Sequence, residues 1–144
     1  VEQLERALEF AVRKEKEAEA FYRQWAQRAL DPGVRQLLSE LASWERGHVE
    51  KLSQIKPEEL LSQGPPPPDL KLAELLVEVP AGADMTLPEA LVLAMKREQA
   101  SVQLYEGLAA LGGPAQKLFS ALADEERRHK HLLETEYDDL LTDN

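Results

Sequence analysis

Two pairs of segments in this chain repeat each other, and that repetition restricts the fold more than any other feature. "AVRKEKEAEAFY" (residues 11–22) and "AMKREQASVQLY" (residues 94–105) both read Ala, three residues, Glu, six residues, Tyr, at an offset of 83. "LASWERGH" (residues 41–48) and "LADEERRH" (residues 122–129) both read Leu-Ala, two residues, Glu, two residues, His, at an offset of 81. Such self-similarity marks a duplicated structural unit, here a pair of helices. One helical hairpin alone cannot bury its apolar face, so the two copies are expected to pack on each other.

Apolar residues recur with helical period over four stretches, and strand signals are nearly absent. The first stretch is roughly 2–30, with Leu4, Leu8, Ala11, Ala18, Tyr22, Trp25 and Ala29 on one stripe. Asp31 and Pro32 supply an N-cap and a first-turn proline for the second, which runs to about residue 56. "TLPE" (residues 86–89) has capping-box spacing and opens the third. Gly112-Gly113 closes it, and Pro114 starts the fourth, which reaches about residue 141. The segment 57–85 contains "GPPPPD", too stiff and extended for a helix interior, and "LKLAELLVEV", an apolar strip expected to lie against the bundle. A linker between two domains would leave each hairpin without a core. The expectation is therefore an all-α chain with a single domain over 1–144: hairpin 2–56, crossover 57–85, hairpin 86–141.

Composition narrows the function. Seventeen basic and 27 acidic residues give a net charge of -10, which argues against nucleic acid and against anionic membrane surfaces. No cysteine is present, which excludes disulfides, thiolate metal sites and cysteine nucleophiles. No apolar run approaches the ~18 residues of a membrane span, and a cytoplasmic location is the default expectation.

The repeat also places polar residues where leucines are expected. Glu15 lies on the line of Leu8, Ala11, Ala18 and Tyr22, and Glu98 on that of Leu91, Ala94, Ser101 and Tyr105. Glu45 and His48 interrupt the stripe of Val34, Leu38, Leu41, Leu52 and Ile55; Glu126 and His129 interrupt that of Phe119, Leu122, Leu133 and Leu140. A buried carboxylate takes up a proton or finds a partner, and no Lys or Arg shares these stripes. Each of the four acids lies a similar number of residues from its hairpin turn, so antiparallel packing brings all six side chains to one height.

Carboxylates and imidazoles without thiolates suit Fe, Mn or Zn, and four carboxylates balance two divalent ions. Glu and His three residues apart share a helix face. A Glu from each of two helices with Glu-x-x-His from each of the other two is the donor set of di-metal carboxylate bundles.

On these motifs the chain resembles the ferritin-like superfamily, and within it the rubrerythrin-type di-iron domain, over both hairpins. The resemblance implies a ferritin-like four-helix bundle of two antiparallel helical hairpins joined by a long crossover, with a pseudo-two-fold through a metal pair. Residue by residue it implies terminal carboxylates at Glu15 and Glu98, bridging carboxylates at Glu45 and Glu126, and terminal imidazoles at His48 and His129. Tyr22 and Tyr105 match tyrosines that hydrogen-bond to those carboxylates. Rubrerythrins carry a further Glu one turn after the third-helix ligand; here Ser101 stands there, and its repeat-mate is Ala18. They also carry a four-cysteine rubredoxin module, which this chain lacks, so electrons would come from a separate, rubredoxin-like donor.

The expected cofactor is two Fe ions, with Mn or Zn as alternatives. The expected function is reduction of H₂O₂ or O₂ at the Glu₄His₂ site by a homodimer; a di-manganese catalase would share the architecture. Ferroxidase activity with iron storage, which needs a cage-like assembly, and a non-redox Zn or Mn protein are the competing classes. His131 is expected at the surface, Trp25 and Trp44 in packing, Glu17 and Glu19 on a solvated face, and the acidic tail as a fraying helix end. Gly47 is expected to admit a neighbouring helix or the crossover.

Overall fold

The protein's computed structural model describes residues 2–56, 71–76 and 84–142. Four helices account for most of them: α1 (Glu2–Arg28), α2 (Pro32–Ser53), α3 (Leu87–Ala110) and α4 (Gln116–Thr142), and no strand occurs among the described residues. The caps read from the sequence are in place. Asp31 accepts from the Val34 N–H at 3.0 Å, while Thr86 and Glu89 form a reciprocal capping box. Each satisfies backbone donors that have no partner inside the helix.

Three boundaries fall short of the expected ones. α1 ends at Arg28 and leaves Leu30 exposed. α2 ends at Ser53, and its last turn tightens as Gln54 N–H donates to Lys51 O and Ile55 N–H to Leu52 O. Pro57 contributes, because proline disfavours helical backbone in the residue before it. α4 starts at Gln116 rather than Pro114. Gly112 and Gly113 both take positive φ, 73° and 84°, and Gln116 N–H then closes a tight turn on Gly113 O at 3.2 Å. Only after that turn can the chain become helical.

α1 packs along α2 and α3 along α4, and the two hairpins meet through α1–α3 and α2–α4. Part of the crossover is described: a single 3-10 turn, Leu72–Leu75, lies against α3, with Leu72 and Leu75 on the core. Leu76, which follows it, is exposed; residues 70 and 77–79 of the apolar strip and the "GPPPPD" piece (residues 64–69) lie outside the described residues.

The interior has three layers along the bundle axis. One apolar cluster joins Leu4, Phe10 and Ala11 of α1 to Leu52, Leu108, Phe119 and Leu122. A second, at the other end, joins Trp25 and Ala29 to Val34, Leu38, Leu41, Leu91 and Leu133. Between them every helix contributes its acid: Glu15, Glu45, Glu98 and Glu126, each at most 2% exposed, with His48 and His129 beside them. Full burial of a Leu or Phe side chain is worth about 1.5–3 kcal/mol, so the clusters anchor the helices on both sides of a layer that is itself costly to bury.

Candidate metal centre

The structure brings all six sequence-predicted ligands together. Two overlapping groups have donor atoms within 4.8 Å of one another: Glu15, Glu45, His48 and Glu126; and Glu45, Glu98, Glu126 and His129. Glu45 and Glu126 belong to both groups. Glu15 and Glu98 each belong to one, as does each histidine.

Both imidazoles present Nδ1 to the carboxylates. His48 Nδ1 lies 3.3 Å from Glu15 and 2.8 Å from Glu126, and only the Glu15 contact has hydrogen-bond geometry. His129 Nδ1 lies 3.0 Å from Glu45. Tyr22 and Tyr105 come from opposite apolar clusters and reach into the polar layer from either side. The Tyr22 hydroxyl donates to Glu98 at 2.5 Å, and the Tyr105 hydroxyl to Glu15 at 2.7 Å. The tyrosines thus cross between hairpins in a symmetric pair, tying each terminal carboxylate to the opposite hairpin.

Electrostatics mark the layer as unbalanced. Burial, then the charges of Glu15 and Glu98, pushes the Glu45 carboxyl well above its ordinary range. Burial and the charges of Glu15, Glu45 and Glu98 do the same to Glu126. For Glu98 burial acts in the same direction, but its close approach to Glu126 and His129 and the hydrogen bond from Tyr22 outweigh it and hold the group low. His48 is raised: burial opposes its charge, yet Glu15 and Glu125 more than compensate. Burial, followed by the adjacent carboxylates, raises both tyrosines well above the usual phenol value, so they remain protonated donors.

Do these residues fit a pair of metal ions? Glu98 Oε2 and Glu126 Oε1 are buried and accept no hydrogen bond, although each offers lone pairs at the centre of the layer. Leaving buried carboxylate oxygens without partners is costly, and divalent cations are the partners that match their charge and type. The donor set fits. Ions would displace the protons that Glu45 and Glu126 otherwise retain.

A cavity of about 130 Å³ opens on Glu98 and Glu126, walled by Ala18, Ser101 and Phe10 and bordered by Leu75 of the crossover. It exceeds the space of several waters, each of which takes ~30 Å³ in the liquid. The small side chains of Ala18 and Ser101 help keep this route to the layer open.

Among the remaining sequence expectations, His131 and Glu17 are exposed, and Trp25 is buried in packing. Glu19 is paired with Arg23 at 2.9 Å. Trp44 packs too, but on an imidazole: its ring lies parallel to His129, centroids 4.8 Å apart. The reading of Gly47 needs correcting. A Cβ there would meet nothing within 4 Å, so no helix or crossover residue among those described approaches it. Gly47 instead lines a cleft with Trp44, His48 and Glu125. Glu125 is the residue that the stripe argument missed. It lies off the core stripe and is 34% exposed at its side chain, yet accepts from His48 Nε2. Its position as repeat-mate of Trp44, a mismatch inside a close repeat, was the available signal.

Comparison with known proteins agrees with this geometry. The rubrerythrin family model matches residues 7–137. No curated protein sequence matches the chain. Among solved structures, one described as a ferritin-like diiron-carboxylate protein from Thermotoga maritima aligns with a TM-score of 0.69 and 28% identity, covering 92% of this chain and 93% of that one. The fold is accordingly ferritin-like. With nearly the whole chain matched and the duplicated Glu/His layer at its centre, the protein belongs to the rubrerythrin family.

Proposed function

We propose that the protein is a di-iron oxidoreductase that reduces H₂O₂ or O₂ with electrons from a separate, rubredoxin-like donor. The observation that carries this reading is the pair of four-ligand groups sharing Glu45 and Glu126, with a cavity opening on Glu98 and Glu126. Glu15, Glu45 and His48 with Glu126 would hold one ion, and Glu98 and His129 with both bridging carboxylates the other. Two iron ions, when bound, supply one electron each, which matches the two-electron, two-proton conversion of H₂O₂ into two waters.

The chain's own residues provide position and access. Tyr22 and Tyr105 fix one oxygen of each terminal carboxylate, which leaves the other to face the centre. The apolar clusters above and below the layer close it off at both ends, and the cavity reaches it from the side. Phe10, Leu75 and Leu104 make that cavity partly apolar, while Ser101 and Glu17 give it polar groups from which protons can be relayed. A small neutral oxidant suits such a space.

The test is anaerobic loading with Fe(II), followed by stopped-flow addition of oxidant. About two ions per chain and faster oxidation by H₂O₂ than by O₂ support the proposal. Faster oxidation by O₂ with a cage-sized mass and mineral deposition would favour iron storage. Purification from native-like expression with Zn or Mn, and no redox turnover of the Fe(II) form, would contradict it. A dimer-sized mass with peroxide turnover is the expected outcome.

A further inference from the structure

The two halves of the polar layer are built from a repeat, but their outer surroundings differ. At the offset of 81 that relates His48 to His129, Trp44 corresponds to Glu125 and Gly47 to Arg128. On one side Glu125 of α4 crosses to α2 and accepts from His48 Nε2, with Lys51 Nζ at 4.0 Å from its other oxygen. On the other side the place of that acid is taken by Trp44. Its ring lies at 9° to the His129 ring, 4.8 Å away, and the Arg128 guanidinium lies 5.3 Å from the Trp44 centroid. His129 Nε2 is buried and has no hydrogen-bond partner.

This difference bears on metal binding because both histidines turn Nδ1 to the carboxylates. An imidazole that ligates through Nδ1 carries its hydrogen on Nε2. A carboxylate accepting that hydrogen fixes the tautomer, locks the ring orientation and makes Nδ1 a stronger donor. His48 has such a partner and His129 has a flat aromatic surface instead. Stacking holds the His129 ring in place without accepting its N–H.

We propose that the two metal positions are unequal. Glu125 is a positioning residue for His48, and the position formed by Glu15, Glu45, His48 and Glu126 holds its ion more tightly than the one containing Glu98 and His129. The inference rests on the reading of the layer as a two-metal site. It adds a residue, Glu125, that would touch neither ion, and an order of filling that the ligand set alone, symmetric under the repeat, does not give.

The experiment is an anaerobic Co(II) titration of the full chain, followed by visible absorption and calorimetry. The wild type is expected to bind two ions in two resolved steps. Glu125→Ala should weaken the tighter step by about 10–100-fold while leaving the weaker one in place. Glu125→Gln, which keeps a neutral acceptor, should recover part of the loss. Glu125 is partly exposed at the rim of a cleft, so helical circular dichroism should be unchanged in both variants. Trp44→Glu, which places an acid opposite His129, should strengthen the weaker step. In the Zn(II)-loaded wild type, NMR should show the imidazole N–H of His48 well downfield of that of His129, and lose that displacement in Glu125→Ala. Two equal steps in the wild type, or equal weakening of both steps in Glu125→Ala, would overturn the inequality while leaving the two-metal site intact. Failure of the wild type to bind two ions would overturn both.

Discussion

At the scale of single residues, the chemistry of the layer is set by how few proton and charge partners six buried side chains find in one another. The tyrosines show this most simply. Tyr22 and Tyr105 each give a fully buried hydroxyl to a buried carboxylate. A hydrogen bond to a charged group contributes about 1.5–3 kcal/mol, so Tyr22→Phe and Tyr105→Phe should each destabilise the metal-free protein by roughly that amount, as measured by urea unfolding. Because the two contacts are related by the repeat, the losses should be similar; a large loss in one variant only would contradict the symmetric pairing. The titrating groups make a second prediction. Glu45, Glu126 and His48 are raised in the folded protein, so their contribution to stability is full below their unfolded values and is lost as pH rises through the folded ones. Glu98 and Glu125 are lowered, and their contribution is lost only as pH falls into the acid range. Above the ordinary histidine value of 6.5 only the first group changes. The metal-free protein should therefore lose stability from pH 6.5 upward, by at most about 1.4 kcal/mol per pH unit for each group titrating. Metal should reverse the trend, because it binds the deprotonated ligands. Melting curves with and without Zn(II) across that range check it; metal-free stability that rises over the range would contradict the assignment.

Among elements, the helices were legible in the sequence because each one carries both its period and its punctuation. Asp31-Pro32 and Thr86–Glu89 specify their caps through side-chain chemistry that acts within one turn. The ends that came out shorter depend on backbone geometry beyond the pattern: the left-handed pair Gly112-Gly113 delays α4, and the tightened turn at Gln54 ends α2. Two glycines separate these influences. Gly47 is inside α2 with open space at its Cβ position, so Gly47→Ala should stabilise the protein by about 0.5–1 kcal/mol through helix propensity. Gly112 also has open space, but its φ of +73° is unfavourable for any L side chain. Gly112→Ala should therefore destabilise by about 1–2 kcal/mol. Chemical denaturation of both variants decides it, and changes of the same sign would show that something other than backbone conformation governs them. Why the chain keeps Gly47 is not a matter of close helix approach; the residue leaves open the cleft beside His48 and Glu125.

Across the whole molecule, duplication made the site readable. Each Glu-x-x-His alone is a common helical pair. Two copies, with partner acids at matching distances from the turns, could only meet at one height in an antiparallel bundle, and the structure places all six donors there. What the repeat could not give was its own exceptions. Glu125 and Trp44 occupy equivalent positions, and only the packing of α2 against α4 decides that one reaches an imidazole edge and the other its face. The cavity was equally hidden, because it depends on Ala18 and Ser101 meeting Leu75 from the crossover. The central claim is that these six side chains form one site for two ions. Anomalous diffraction from crystals of the Fe(II)-loaded protein tests it most directly. The expected result is two iron peaks, both touching Glu45 and Glu126, one also on Glu15 and His48 and the other on Glu98 and His129. A single peak, or iron bound elsewhere with the layer left metal-free, would contradict the account.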